Sequence, residues 1–264
     1  MKELINKIHF ANCFDILAQI SDESIDLILT DPPYMTTNLE YDQLAAKTLD
    51  FNLWKREVLR VAKPHAPILI FSSGKFTYFM VNLMKEYFRY ELVWDKVNKT
   101  TGFASADSRP MLNHEMVLYF SKTFVRNETP KLKRNTFNHG VQRIKTKLEN
   151  AKAVSSNKQL YSGITKKIVY EKLNDKLYPK SILRFNKSSA GGIHPSAKPF
   201  GLIEYLIMLY SNENDLVLDT FSGSGIVAYT CKLRQRNFIA AELSDEYYNK
   251  SIASLEYDLF TNNY

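Results

Sequence analysis

Two consecutive prolines, Pro32-Pro33, stand just beyond the apolar run Ile25-Asp26-Leu27-Ile28-Leu29. The run suits a short buried strand. A proline lacks the N–H that a sheet ladder needs and fixes φ, so two in a row force the chain out of the sheet. The product is a rigid loop at a strand end. Thr30-Asp31-Pro32-Pro33-Tyr34 thus presents a carboxylate, two proline carbonyls and an aromatic ring from a fixed position. An amine bound in front of it would meet acceptors from Asp31 and the backbone, with Tyr34 as a stacking face. Asp-Pro alone reads as a plain turn, whereas the full pentapeptide reads as a site.

The remainder of the chain alternates strands and helices. Lys7–Phe10 reads as a strand, followed by a turn at Ala11-Asn12-Cys13 and a short helix over 14–20. Asn12 either caps that helix or reaches a ligand, and the sequence leaves both open. Residues 36–47 read as a polar loop beside the site. Asp50 caps a helix that stops at Lys63-Pro64, 67–72 is a buried strand, and 76–88 has a helical period. Strands follow at 90–94 and 115–120, joined by a polar loop containing Gly102 and Arg109. After a long interruption the order resumes: a helix over 200–209, strand 216–219, helix 226–234, strand 237–242, and a helix capped by Ser244. This alternation predicts an α/β, doubly wound sheet.

The interruption carries the charge. The 264-residue chain has a net charge of +7. Residues 121–190 hold 17 Lys/Arg and 4 Asp/Glu, or +13, which leaves −6 for the rest. Basic residues there are interleaved with Phe137, Tyr161, Tyr170, Tyr178 and Phe185, and helical stretches are expected over 142–152 and 166–174. Concentrated positive charge acts on phosphates through counterion release, and interleaved aromatics suit base contact. The organisation expected is a catalytic part over 1–120, a basic recognition insertion over 121–190, and a cofactor-binding part of the same domain over 191–264.

Composition excludes several alternatives. No apolar run approaches the roughly 20 residues of a membrane span, and Met1–Lys7 lacks the apolar core of a signal peptide. Cys13 and Cys231 are too few for a disulfide framework, and the five histidines are scattered without metal-ligand spacing. A cytoplasmic protein without metal is expected.

Asp219-Thr220-Phe221-Ser222-Gly223-Ser224-Gly225 joins a strand to a helix, and the next strand ends in Glu242, 23 residues after Asp219. Glycines allow a tight turn and close backbone approach, and an acid at that distance accepts from ribose hydroxyls. The turn lacks the third glycine of a dinucleotide fingerprint and the Lys-Ser/Thr of a P-loop. It favours a nucleoside cofactor.

With these residues in place, the chain resembles the amino-methylating DNA methyltransferases that use S-adenosylmethionine. Asp31-Pro32-Pro33-Tyr34 resembles their catalytic tetrapeptide and Asp219–Gly225 their cofactor motif. His194-Pro195-Ser196-Ala197-Lys198-Pro199 is similar to the element leading into the helix before the cofactor strand. The catalytic motif precedes the cofactor motif with a basic segment between, the order of the family's β group. The resemblance covers about 1–120 and 179–250.

The resemblance implies a Rossmann-like mixed sheet with an inserted basic recognition region. It implies methyl transfer from S-adenosylmethionine to the N6 amino group of adenine in double-stranded DNA, by base flipping. Asp as the first tetrapeptide residue favours adenine. N4 of cytosine, an RNA base, or a catalytically silent nucleic-acid-binding relative are the alternatives. Asp31, Pro32, Pro33 and Tyr34 are the catalytic candidates. Asn12, Cys13, His194, Ser196, Lys198, Asp219, Phe221, Ser222, Gly223, Ser224, Gly225 and Glu242 are the cofactor-binding candidates. Asn12 stands where the family often has an acid contacting the adenine of the cofactor. Lys198 reads either as a solvated loop lysine or as a cofactor-side cation. His114-Glu115, a pair the family often shows, reads as structural. Relatives of the group are often dimers, so a homodimer stays open.

Overall fold

The computed structural model describes residues 1–35, 48–103, 106–123, 135–138, 178–187 and 197–257. The loop at 36–47, the helical stretches expected within 142–152 and 166–174, and His194 and Ser196 lie outside them.

The described strands are β1 (Lys7–Phe10), β2 (Leu27–Thr30), β3 (Ile68–Ser72), β4 (Phe88–Asp95), β5 (His114–Phe120), β6 (Ile182–Arg184), β7 (Leu216–Asp219) and β8 (Asn237–Glu242). The helices are α1 (Cys13–Leu17), α2 (Phe51–Val61), α3 (Lys75–Leu83), α4 (Phe200–Tyr210), α5 (Ile226–Leu233) and α6 (Asp245–Tyr257). The strands form a single mixed sheet in the order β1-β8-β7-β2-β3-β5-β4-β6. Its pairs are parallel except β3–β5 and β4–β5, so β5 alone runs against its neighbours.

Period-two alternation sorts the core into two layers. Leu27, Leu29, Leu69, Phe71 and Val217 face α4, α5 and α6. Ile28, Ile68, Ile70, Leu216 and Leu218 face α1, α2 and α3. Register locks the centre: Ile28 lies opposite both Ile68 and Leu218. Strands buried on both faces explain the unbroken apolar runs in the sequence. Asp50 caps α2 by accepting from the N–H groups of Asn52 and Leu53 at 2.8 and 3.1 Å, a device contributing about 1 kcal/mol.

The winding reverses between β7 and β2. From β7 the chain crosses through α5 to β8 on one side, and from β2 through α2 to β3 on the other. Helices flanking the gap therefore lead away in opposite directions and open a crevice beyond the carboxyl ends of the two strands. Asp31 follows β2 and Asp219 ends β7, so the two sequence motifs meet at this point.

Three expectations change. The helix expected over 76–88 ends at Leu83, because Phe88 already pairs with Phe120 in the sheet. Ile25 stands outside β2 and bridges to Ala62. No strand is expected within 121–190, yet Ile182–Arg184 pairs with Val93–Asp95 as the sheet's edge strand. Phe137 and Asn138, inside the basic segment, also dock on the core. Phe137 packs on the Tyr210 ring, and Asn138 bonds the carbonyls of Met208 and Ser211.

Candidate active site

A cavity of ≈ 920 Å³ opens along the carboxyl edge of the sheet. It is at the upper end of the usual range for small-molecule sites, roughly 300–1,000 Å³, with room for two ligands side by side. One end is lined by Asn12, Cys13, Asp219, Phe221, Ser222, Gly223, Ser224 and Glu242, the other by Asp31, Pro32, Pro33, Tyr34, Lys198 and Glu115. Gly225 caps α5 just behind the first end.

A hydrogen bond joins the ends. Thr30 Oγ1 donates to Asp219 Oδ1 at 2.8 Å and lies 3.1 Å from Thr220 Oγ1. The Trp54 indole N–H donates to Thr220 Oγ1 at 3.2 Å, pinning α2 beneath the same junction. Asp219 also accepts from the Phe221 N–H. Burial, with Asp31 and Glu242 nearby, outweighs these bonds and pushes the Asp219 carboxyl up to about 7.

The glycine turn is shaped by neighbours. Gly225 has φ +76°, and a Cβ there would lie 2.8 Å from Ser251 Cβ and 3.3 Å from Ser251 Cα, so only glycine fits. Glu242 accepts from the Gly223 N–H at 2.7 Å through Oε2 and from the Ser244 N–H at 2.9 Å through Oε1. Each carboxylate oxygen keeps a second lone pair for a ligand hydroxyl. Asn12 is the cap of α1, its side chain accepting from the Phe14 N–H at 3.0 Å, and it still lines the cavity. Burial pushes the Cys13 thiol up to about 12, so it stays a neutral wall.

At the other end Asp31 has one partner on each oxygen. Tyr34 donates its hydroxyl to Oδ1 at 2.8 Å, and Lys198 Nζ stands 2.6 Å from Oδ2. One face of the Tyr34 ring stacks on Phe76, centroids 5.0 Å apart. Lys198 is not a solvated loop lysine: its side chain is 6% exposed and pairs with both Asp31 and Glu115. Its cation faces the tetrapeptide carboxylate. Glu115, a structural residue by its sequence, lines the cavity, as does Thr30 at the head of the pentapeptide; Lys96 lines it too, with no signal in the sequence. The reversed direction of β5 is the reason for Glu115: it brings the start of that strand to the edge where its neighbours end.

Among the described residues no group of three or more His, Cys, Asp or Glu could hold a metal ion, and no helix is long and apolar enough to cross a membrane.

The family model described as DNA methylase, for N6 and N4 methyltransferases, matches residues 25–253. The chain belongs to this family. It is 29% identical over 262 residues to the Type II methyltransferase M1.MboII of Moraxella bovis, covering 94% of this chain and 95% of that one. It is 30% identical over 253 residues to the Type II methyltransferase M.HpaI of Haemophilus parainfluenzae, covering 90% and 70%. Among solved structures, the M1.HpyAVI–SAM complex aligns with a TM-score of 0.59 at 22% identity, covering 94% of this chain and 98% of that one. The cytosine-N4-specific PvuII DNA methyltransferase aligns with a TM-score of 0.65 at 17% identity, covering 98% and 93%. At those identities the structures establish the Rossmann-like methyltransferase fold.

The protein is a DNA amino-methyltransferase, and S-adenosylmethionine is its cofactor. The cofactor end of the cavity fits that molecule. Ser222 Oγ is buried without a hydrogen-bond partner, an orphan that a polar ligand would satisfy. Two acids and a glycine turn too tight for a side chain surround it.

Proposed function

We propose that this DNA methyltransferase modifies the N6 amino group of adenine in a specific duplex sequence, after flipping the base into the Asp31 end of the cavity. The observation that carries the reading is the junction at the winding reversal. A carboxylate on a rigid Pro-Pro loop is tied through Thr30 and Asp219 to a nucleoside-shaped cradle in the same cavity.

When bound, S-adenosylmethionine supplies an electrophilic methyl on a sulfonium that leaves as a neutral thioether. The cradle for it is Asn12, Cys13 and Asp219–Gly225, with Glu242 taking the ribose hydroxyls. His194 and Ser196 precede the described Ala197–Pro199 and keep their place on the motif alone.

An exocyclic amine is a poor nucleophile because its lone pair is delocalised into the ring. Asp31 and the Pro32 carbonyl would accept from its two N–H groups, favouring a pyramidal nitrogen with its lone pair aimed at the methyl. Once methylated, the nitrogen would carry a positive charge, and Asp31 or water would take the proton it sheds. Tyr34, backed by Phe76, would stack on the base and hold it in line. Proximity and alignment then supply most of the rate. The basic segment would neutralise DNA phosphates, and the Type II relatives support a role beside a restriction nuclease.

Asp at the head of the tetrapeptide favours adenine over cytosine. Nucleoside analysis of duplex DNA methylated by the enzyme tests the assignment. N6-methyladenine is expected, and N4-methylcytosine without it would overturn the adenine reading.

A further inference from the structure

Four side chains from four segments form a line of alternating charge that ends on Asp31. Lys96 Nζ, just past β4, lies 2.7 Å from Glu115 Oε1 on β5. Glu115 Oε2 lies 3.0 Å from Lys198 Nζ in the loop before α4, and Lys198 Nζ lies 2.6 Å from Asp31 Oδ2. The Lys96 and Lys198 side chains are 3% and 6% exposed. Lys198 Nζ also sits 4.9 Å from the centroid of the Phe71 ring, which shields it on an apolar side.

Such a line is a poor device for stability. Withdrawing each ion from water costs several kcal/mol, and apolar residues of equal volume commonly serve as well. The backbone beside it is strained too. Val97, the residue after Lys96, is β-branched yet has φ +57°, held by its N–H on Asp95 Oδ1 at 3.0 Å. That conformation is especially unfavourable for a β-branched residue. The turn carries the exposed Val97 away from the core while the preceding Lys96 stays inside it.

We propose that Lys198 and Glu115 are positioning residues for methyl transfer: Lys198 keeps Asp31 ionised and aimed, and Glu115, held by Lys96, sets how much of the lysine's charge reaches Asp31. The inference rests on the reading of Asp31 given above. Only the ionised carboxylate can accept from both sides while still holding Lys198 and Tyr34. Burial works against ionisation and raises the Asp31 carboxyl above its ordinary range; Lys198 opposes that rise, and Glu115 adds to it. Although burial opposes it, Lys198 and Lys96 hold the Glu115 carboxyl down at about 2, so its charge is fixed. Asp31 is faced by Lys198 before α4, Glu115 on β5, Tyr34 in its own loop and Asp219 on β7. Lys187, past β6, is half-buried, and burial and the nearby Lys96 lower its pKa; Lys187 and Arg109 also line the cavity.

The line has a signature that simple packing lacks, because its two inner members push Asp31 in opposite directions. The test measures single-turnover methylation across pH with saturating cofactor and DNA, in Lys198→Met, Lys198→Arg, Glu115→Gln and Asp31→Asn, with cofactor binding followed in each. In Lys198→Met the acidic limb should move up by about 1–3 pH units, the size of one close opposite charge, with a large loss of rate at neutral pH. Lys198→Arg should restore part of both. In Glu115→Gln, an isostere that keeps the fold if Lys198→Met does not, the limb should move down. A limb that stays put or moves up in Glu115→Gln overturns the proposal, and so do equal shifts in Lys198→Met and Glu115→Gln. Asp31→Asn separates the two levels. Its inactivity upholds the reading of Asp31 whatever the limbs do, while turnover in that variant overturns the reading itself.

Discussion

The two ends of the cavity lie on adjacent strands of one sheet, and they are built on opposite principles. The cofactor end is local and backbone-made. Six consecutive residues, Asp219–Ser224, line it, and Glu242 accepts from two backbone N–H groups. The Asp31 end is assembled from distant segments. Its carboxylate depends on side chains from 84 and 167 positions further along the chain, Glu115 and Lys198. A nucleoside has a fixed shape that a rigid turn can match, whereas a transferring nitrogen changes charge and needs an electrostatic setting. The cofactor end should therefore be vulnerable to shape changes and the Asp31 end to charge changes.

The largest effect on the cofactor end should come from a single methyl group. In Gly225→Ala the new Cβ would meet Ser251 at 2.8 Å from a backbone already at φ +76°. The combined strain and overpacking are worth about 2–4 kcal/mol. Thermal melts should show a clear loss of stability, and titration should show weakened cofactor binding. Unchanged binding would mean that the turn is not shaped by its neighbours.

The contrast also explains what the sequence displayed. Asp219–Gly225 and Asp31–Tyr34 are contiguous, so their chemistry could be read from the residues themselves. The Thr30–Asp219 bond spans 189 positions and depends on β2 and β7 becoming neighbours, which no local pattern states. Glu115 was visible as an acid opening a strand, but its value depends on the direction of β5, which alternation does not encode. Lys96 stands at a strand end like any surface lysine, and only the fold buries it. β6 has a single buried residue, Leu183, between the exposed Ile182 and Arg184, too little for a periodic signal. Tyr87 and Phe88 continue the apolar period of α3, yet Tyr87 lies in the turn after it and Phe88 opens β4.

A smaller effect, seen only against pH, should come from charge at the cofactor end. Asp219 has its carboxyl raised from 3.8 to about 7 by burial. Between those values the folded protein binds a proton that the unfolded chain has released. Stability from this group is therefore present below about pH 4 and lost as pH rises toward 7, by up to ~4 kcal/mol at 1.36 kcal/mol per unit. Asp219→Asn keeps the acceptor for Thr30 and removes the titration. Ligand-free melts should find the variant gaining on the parent at pH 8 relative to pH 4. An equal difference at both pH values would show that Asp219 does not carry this cost.

The division between the two ends is tested most directly by Asp31→Ala, with turnover and cofactor affinity measured on the same preparation. Removing one preorganised polar group at a transition state commonly costs about 10²–10³ in rate, and Asp31 would serve as both acceptor and proton sink. Methyl transfer should fall by at least that factor while S-adenosylmethionine binds within a few-fold of the parent. Retained turnover, or cofactor affinity lost in step with rate, would contradict the account.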